Sequence, residues 1–441
     1  MSKIADILAD AGHSVTIFQY YHLPLKNLEN IAKNKNIRTI HYYPDDFEEM
    51  EKKGVPTFPD LWDGGLFENP ILQCLEFPKL LAGEFEKMAK KVLQDRKLHD
   101  KLRIGNYDAM VVEAFDTTGF YLADLINIPP IAVLTTVRFQ INRLFGEPST
   151  LGYIPEEYSK LGDEANFFDR LNDFYRDTFR TIGNYRIFEL QHRINRKTIG
   201  RPIDDWKDLL RRSPFLFVNA NPYLDYAMPK LENIVNIGGF TFDKNKKVAT
   251  LPEEYNEILE KRNSTILISF GSVLRSFDMP EKYKSSLVQT FEIMSNITFI
   301  WKYEKDDDGM AERVPKNVYL MKWVPQPALL ADKRVTLFVT HGGLGSTMEV
   351  AYSGKPALMI PLFADQPYNA MMLSRHGGAR AYNKQDLQNS MKLIEVIKNM
   401  IENLEYNKNA KQLQQILHNQ PIDPKDNLLK HMEFSVNLLF C

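Results

Sequence analysis

Residues 335–351 read VTLFVTHGGLGSTMEVA. A short β-rich run at 335–339 passes through His341, Gly342 and Gly343 into a stretch with the spacing of an amphipathic helix. Gly342, Gly343 and Gly345 let the backbone turn tightly and approach a ligand closely, and a helix starting near Leu344 aims its free N–H groups and the positive end of its dipole at the turn. That is anion chemistry. Ser346 adds a hydroxyl donor and His341 an imidazole donor, so a phosphate or diphosphate is the natural guest. The plainer alternative stands beside it: glycine pairs often follow strands, and a single histidine often has only a structural task.

Further chemistry recurs at the ends of neighbouring strand-like runs. Residues 266–272 read ILISFGS and bring Ser269 and the Gly271-Ser272 turn to a strand end, where an open sheet meets its ligands. Trp323, Val324, Pro325 and Gln326 follow another run; the indole is a flat face for a base, Pro325 stiffens the loop, and Gln326 offers donors and acceptors to a ribose. Glu349 falls about one and a half turns into the helix, on a face suited to ribose hydroxyls, and Asp365 with Gln366 suits sugar hydroxyls. Taken singly, Trp323 reads equally as core, Glu349 as a solvated helix face and Asp365 as a helix cap. Taken together they supply a base platform, a ribose carboxylate, a diphosphate turn and a sugar-binding pair, the inventory of a nucleotide-sugar site.

The elements that must position these groups are those of an α/β protein. Strand-like runs at 14–19, 109–114, 130–136 and 215–219, with a helical region at 166–195, form a first half; runs at 265–271, 298–303, 318–322, 335–339 and 357–361, each separated by a helix or turn, form a second. Residues 241–263 read as the linker, and 384–441 as a helix-rich, strandless tail. A chain of 441 residues holds two or three domains with proper cores. Lys+Arg 55 against Asp+Glu 57 leaves a net charge of -2, which gives no footprint for nucleic acid. Cys74 and Cys441 allow at most one disulfide and no metal cluster. No apolar run reaches the ~20 residues of a membrane span, and Met1 opens on a polar helix, so the sequence taken literally is soluble and cytosolic. A nicotinamide-dependent dehydrogenase would want G-x-G-x-x-G after a first strand, and none follows.

The segment from Trp323 to Gln366 resembles the signature of the UDP-glycosyltransferases, in particular the animal UDP-glucuronosyltransferase branch: WVPQ, THGG, Glu349 and FADQ stand at the family's spacing. The likeness continues through GHSVT at Gly12, LADLINIPP at Leu122, NIGGF at Asn236 and ISFGS at Ile268, over nearly the whole chain. The resemblance implies a GT-B fold, two Rossmann-like domains facing a cleft with C-terminal helices crossing back to the first domain. Residues 1–240 would bind the acceptor and 264–383 the UDP-sugar. Carried over by position, Trp323 stacks on uracil, the Val324 backbone pairs with its edge, Gln326 and Glu349 hold the ribose, and Ser269, His341, Gly343 and Ser346 meet the diphosphate. Asp365 and Gln366 take the sugar hydroxyls, while Gly345 stands where many relatives carry Asn.

The implied reaction is inverting transfer of glucuronic acid or glucose from UDP-glucuronic acid or UDP-glucose to a hydroxyl of a small lipophilic acceptor, with no cofactor and no metal. In YDAMVVEAFD the carboxylate that orients the base falls on Glu113, with Asp116 as a nearby alternative. By the family's spacing the base histidine belongs upstream of Met1, and His13, in a helix-to-strand turn, reads as structural. Full-length relatives are expected at the lumenal face of the endoplasmic reticulum membrane, and beside them this sequence reads as truncated at both ends, without signal peptide or anchor. A UDP-sugar-binding protein without catalysis is therefore the alternative expectation, and homo-oligomerisation is left open.

Overall fold

The computed structural model describes residues 1–21, 32–53, 62, 69–137, 140–148, 150, 154–156, 159, 161–162, 165–242, 250–272 and 274–439. Its largest sheet is built from β7 (Thr265–Ser269), β8 (Thr298–Lys302), β9 (Val318–Met321), β10 (Val335–Thr340), β11 (Ala357–Met359) and β12 (Ala379–Ala381), in the order β12-β11-β10-β7-β8-β9. Every pairing is parallel. Helices cover both faces of such a sheet, so its inner strands must be apolar on both sides, and the sequences TILIS and TFIWK are buried throughout. The chain first winds from β7 outward to β9, then returns to the other side of β7 as β10 and winds outward again to β12. Strand order thus reverses between β7 and β10, and the crevice at their carboxyl ends is where open α/β sheets bind ligands.

The first half holds a second parallel sheet, β3 (Met110–Glu113), β4 (Pro130–Leu134), β5 (Leu216–Val218) and β6 (Ile234–Asn236) in sequence order, and a parallel pair, β1 (Thr16–Tyr20) with β2 (Arg38–Tyr42). Two long helices, Pro70–Leu93 and Phe167–Ile199, lie against each other. The second starts from a reciprocal capping box between Asn166 and Asp169 and stops at left-handed Gly200. Where the two helices approach, a Cβ on Gly183 would stand 3.1 Å from the Cα of Cys74, so glycine permits the close packing. Cys74 itself is a buried free thiol, and Cys441 lies outside the described residues.

The tail forms helices Ser390–Glu402, Leu404–His418 and Pro424–Phe434. The last of these crosses back: Leu428 and Met432 share a core with Ile4 and Ile7 of the first helix, Ser2–Asp10, and with Ile131, Val133, Phe217 and Val235 of the first sheet. Asn427 Nδ2 donates to the Asn236 carbonyl at 3.0 Å, and His13 pairs with Glu433 at 3.1 Å. Of the span 241–263 expected as linker, 243–249 lie outside the described residues and Glu253–Glu260 is a helix. Three strands, Arg38–Tyr42, Ile234–Asn236 and Ala379–Ala381, add to those expected. No helix among the described residues is long and apolar enough to cross a membrane.

Leu428 is fully buried between the last helix and the first sheet. Leu428→Ala should therefore destabilise the fold by about 2–5 kcal/mol through lost burial and the cavity left behind. A urea titration followed by circular dichroism reads this directly; a midpoint equal to that of the unsubstituted chain would mean that the tail does not complete that core.

Candidate functional site

At the carboxyl end of β10 the backbone swings through Gly342, at φ +80°, into Gly343, which caps the helix Leu344–Ser353 without lending it a side-chain acceptor. The first-turn N–H groups of that helix therefore have no capping side chain. The turn is tied from below by Thr347 Oγ1 and Asn369 Nδ2, which both donate to the Gly342 carbonyl, at 3.2 and 3.1 Å. The His341 ring lies in a slot between two backbones: a Cβ on Gly271 would fall 2.6 Å from its Cε1 and one on Gly343 2.6 Å from its Nε2. Burial, aided by the positive charge of Lys302, lowers the imidazole to about 4. At neutral pH the ring is uncharged, with one donor and one acceptor nitrogen.

Trp323 follows β9 and is 72% exposed, whereas Trp62, Trp206 and Trp301 are buried. Its indole is a free surface and not a core residue. Its carbonyl accepts from Tyr255 Oη at 2.9 Å, Val324 is buried beneath it, and Lys302 Nζ lies 5.6 Å from the ring centroid. Gln326 opens the helix Gln326–Ala331 and its Nε2 donates to Glu349 Oε2 at 2.6 Å and to Ser346 Oγ at 3.1 Å. Ser346 and Glu349 are one helical turn apart, so the three side chains meet on one face. Burial raises the Glu349 carboxyl above its ordinary range, against the bond from Gln326 that favours the ionised form.

The corner after β11 turns at Ala364, a non-glycine residue at φ +54°. Such backbone outliers gather at functional sites. Asp365 follows it; burial raises its carboxyl, and Oδ2 accepts from Asn369 Nδ2 at 2.9 Å. Asn369 thus joins the Gly342-Gly343 turn to this corner, a role its helix-interior position gave no sign of except for standing four residues after Asp365. Gln366, expected beside Asp365 on a sugar, is buried, and its Oε1 accepts from the N–H groups of Leu362 and Phe363 at 2.9 and 3.1 Å. The structure gives that oxygen to the loop. Ser269 is likewise 1% exposed, with Oγ accepting from the Gly271 N–H at 3.4 Å, while Ser272 is the exposed hydroxyl of that turn. The strand ends at Ser269, and the turn through Gly271, at φ +89°, carries Ser272 out to the surface.

In the first half, Glu113 ends β3 and accepts from Phe115 N–H at 2.8 Å and from the Thr135 hydroxyl at 3.3 Å. Burial raises its carboxyl, and the Met1 amino group is close enough to feel its charge. Asp116 Oδ1 accepts from Thr118 N–H at 2.9 Å, a local turn just ahead of the helix Thr118–Ile126, whose N-cap is Thr117. His13, exposed and paired with Glu433, stands against the tail. No cluster of three metal-type ligands occurs among the described residues.

The chain is similar to known proteins over nearly its whole length. The family described as UDP-glucoronosyl and UDP-glucosyl transferase matches residues 1–437. The chain is 29% identical over 444 residues to UDP-glucuronosyltransferase 3A1 of Bos taurus, covering 97% of this chain and 80% of that protein. It is 27% identical over 438 residues to UDP-glucuronosyltransferase 3A2 of Homo sapiens, with coverage of 97% and 80%. Among solved structures, Phytolacca americana UGT2 complexed with UDP-2fluoro-glucose and pterostilbene superposes with a TM-score of 0.60 at 16% identity, over 99% of this chain and 95% of that one. The glycotransferase of kitacinnamycin gives 0.62 at 18%, over 98% and 94%. At such identities the two structures establish the fold, the GT-B arrangement of two Rossmann-like halves.

The state of the buried imidazole can be measured. The His341 Cε1–H resonance should remain that of a neutral ring from neutral pH down to about 4, assigned by its loss in His341→Gln. The unfolded chain takes that proton near 6.5, so between about 6.5 and 4 the unfolded state binds more protons and stability falls as pH falls. His341→Gln should remove that part of the slope. A midpoint near 6.5 in the folded protein would mean that the ring is solvated and the slot open.

Proposed function

The chain belongs to the UDP-glucoronosyl and UDP-glucosyl transferase family and is a glycosyltransferase that uses a UDP-sugar; from that premise we propose that it transfers glucuronic acid or glucose, with inversion, to a hydroxyl of a small lipophilic acceptor. One observation carries the donor side of this reading: the helix Leu344–Ser353 begins, without a capping side chain, where strand order reverses, its Ser346 and Glu349 are bonded by Gln326, and the exposed indole of Trp323 stands three residues before Gln326. Uracil lies on Trp323 with its edge at the Val324 backbone, the ribose hydroxyls bond Glu349, and the diphosphate faces the N–H groups of Gly343 and its successors, with His341 and Ser346 as side-chain donors. Asp365 receives the sugar hydroxyls. In the Phytolacca structure the second ligand is pterostilbene; a small apolar phenol of that kind is the acceptor class proposed for this chain.

The chemistry follows from these placements. The acceptor oxygen bonds to C1 on the face opposite the diphosphate as the bond from C1 to the diphosphate oxygen breaks, and the electron pair leaves with UDP. The helix dipole and N–H groups stabilise the charge that develops on the leaving diphosphate. The acceptor's proton passes to a base, and Glu113 orients that base as a carboxylate orients an imidazole. Nothing in this step requires a cofactor or a metal.

Trp323→Ala should weaken UDP binding by about 1–3 kcal/mol, the range for loss of a base-stacking aromatic. Glu349→Ala should weaken UDP by roughly 1.5–3 kcal/mol per lost bond to the charged acceptor, yet leave inorganic diphosphate unaffected. Calorimetric titration of both ligands separates base, ribose and diphosphate contributions; UDP affinities untouched by either substitution would sink the donor-site reading.

For the acceptor side, Glu113→Gln should lower turnover of a phenol with UDP-glucuronic acid or UDP-glucose while leaving the donor KM unchanged. The comparison is of initial rates over a range of donor concentrations. Unaltered kcat would remove Glu113 from the proton transfer.

A further inference from the structure

The last residue of β8 is a lysine whose side chain is only 7% exposed, and a cation held that far from water needs compensation and a reason. Lys302 Nζ donates to the Gly271 carbonyl at 2.7 Å and to Glu304 Oε1 at 2.9 Å. Glu304 Oε2 in turn accepts from the Ser276 N–H at 2.7 Å, and Ser276 Oγ donates to the Lys302 carbonyl at 2.6 Å. This ring of bonds draws the loop after β7 down onto the end of β8. The same ammonium lies 5.6 Å from the centroid of Trp323, on the other neighbouring strand end.

Because β8 lies between β7 and β9, its terminal side chain reaches both of its neighbours' loops. One of those loops, at Gly271, is a wall of the His341 slot; the other carries the exposed indole. A purely packing role would be met by an apolar side chain at this depth, and a purely local ion pair with Glu304 would not place the charge beside an aromatic face. We propose that Lys302 is a positioning residue of the donor site, whose ammonium ties the nucleobase platform to the wall of the His341 slot and so sets the distance between the base and diphosphate ends of a bound UDP. The inference rests on the UDP-sugar reading of the site and adds a residue to it. Lys302 acts through Trp323 and Gly271 and needs no contact of its own with the nucleotide.

The test is a double-mutant cycle on UDP affinity in the full chain, using Lys302→Met and Trp323→Ala singly and together. If the cation acts by holding the indole, Lys302→Met weakens UDP by about 5- to 30-fold, the factor that corresponds to one or two kcal/mol. In the Trp323→Ala background the same change costs less than about twofold, because the shared partner has gone. Lys302→Arg, which keeps a cation able to reach both loops, restores most of the affinity. Lys302→Gln, which keeps a donor for the Gly271 carbonyl without the charge, takes the place of Lys302→Met should the latter fail to fold by circular dichroism. Time-resolved anisotropy gives an independent readout, since Trp323 is exposed while Trp62, Trp206 and Trp301 are buried: loss of the cation should add a fast component from the freed indole. Trp323-dependent UDP binding that Lys302→Met leaves unchanged, or equal losses in both backgrounds, overturns this proposal alone. UDP binding that does not depend on Trp323 overturns it together with the donor-site reading.

Discussion

The imidazole of His341 occupies a slot whose two walls are backbone, and both walls have to be glycine. Gly271 comes from the loop after β7, at φ +89°, and Gly343 from the turn after β10; a methyl group on either would stand 2.6 Å from the ring. These strands are adjacent and, past an irregularity between Val335 and Leu337, end with Thr340 opposite Ser269, so the two loops leave the sheet at the same level. The ring therefore fixes the gap between a loop and the amino end of a helix. Desolvation in that gap keeps the imidazole neutral, so that near pH 7 the ring has one donor and one acceptor nitrogen. Everything else in the crevice is arranged around that spacing.

The helix Leu344–Ser353 carries the consequence across the molecule. Its amino end presents N–H groups, Ser346 and Glu349 to the crevice. Its last turn holds Tyr352, stacked on Phe242 at 4.4 Å with the planes 8° apart. The Tyr352 hydroxyl accepts from Asn221 Nδ2 at 3.1 Å and from Gln420 Nε2 at 3.2 Å, and its carbonyl accepts from Gln414 and His418. Residues of the first half, the second half and the tail thus converge on one side chain, one helix length from the Gly342-Gly343 turn. The helix Gln366–Ser374 repeats the arrangement: it begins beside Asp365, and Tyr368 Oη donates to Asp225 at 2.6 Å. Both helices that shape the crevice are anchored to residues 221–225.

What could be read from the residues alone was what local sequence determines. Inner strands such as TILIS and TFIWK are apolar on both faces and announce a parallel sheet; Trp323, His341, Glu349 and Asp365 stand within short segments whose turn chemistry is local. Strands of three residues, IVN and ARA, owe their existence to the neighbours they pair with, and RTIHY has the alternation of a sheet edge more than of a core. The same limit applied at the site. Whether Ser269 or Ser272 faces the crevice, and whether Gln366 bonds a ligand or its own loop, depends on how a chain leaves its strand. Lys302 and Asn369 acquire their roles only from partners that other strands and turns bring to them.

The last helix closes a core that opens at Ile4, with Leu428 and Met432 covering one face of the first sheet. At a synthesis rate of roughly 5–20 residues per second, the 424 residues between Ile4 and Leu428 take about 20 to 85 seconds to appear. Over the last 193 of those residues, about 10 to 40 seconds, the apolar side chains of Ile131, Val133, Phe217 and Val235 lack the cover of Leu428 and Met432. A nascent chain in this state is a substrate for holding chaperones and a hazard for its neighbours on the same polysome. The order of its parts along the chain makes the first half the last to be sealed.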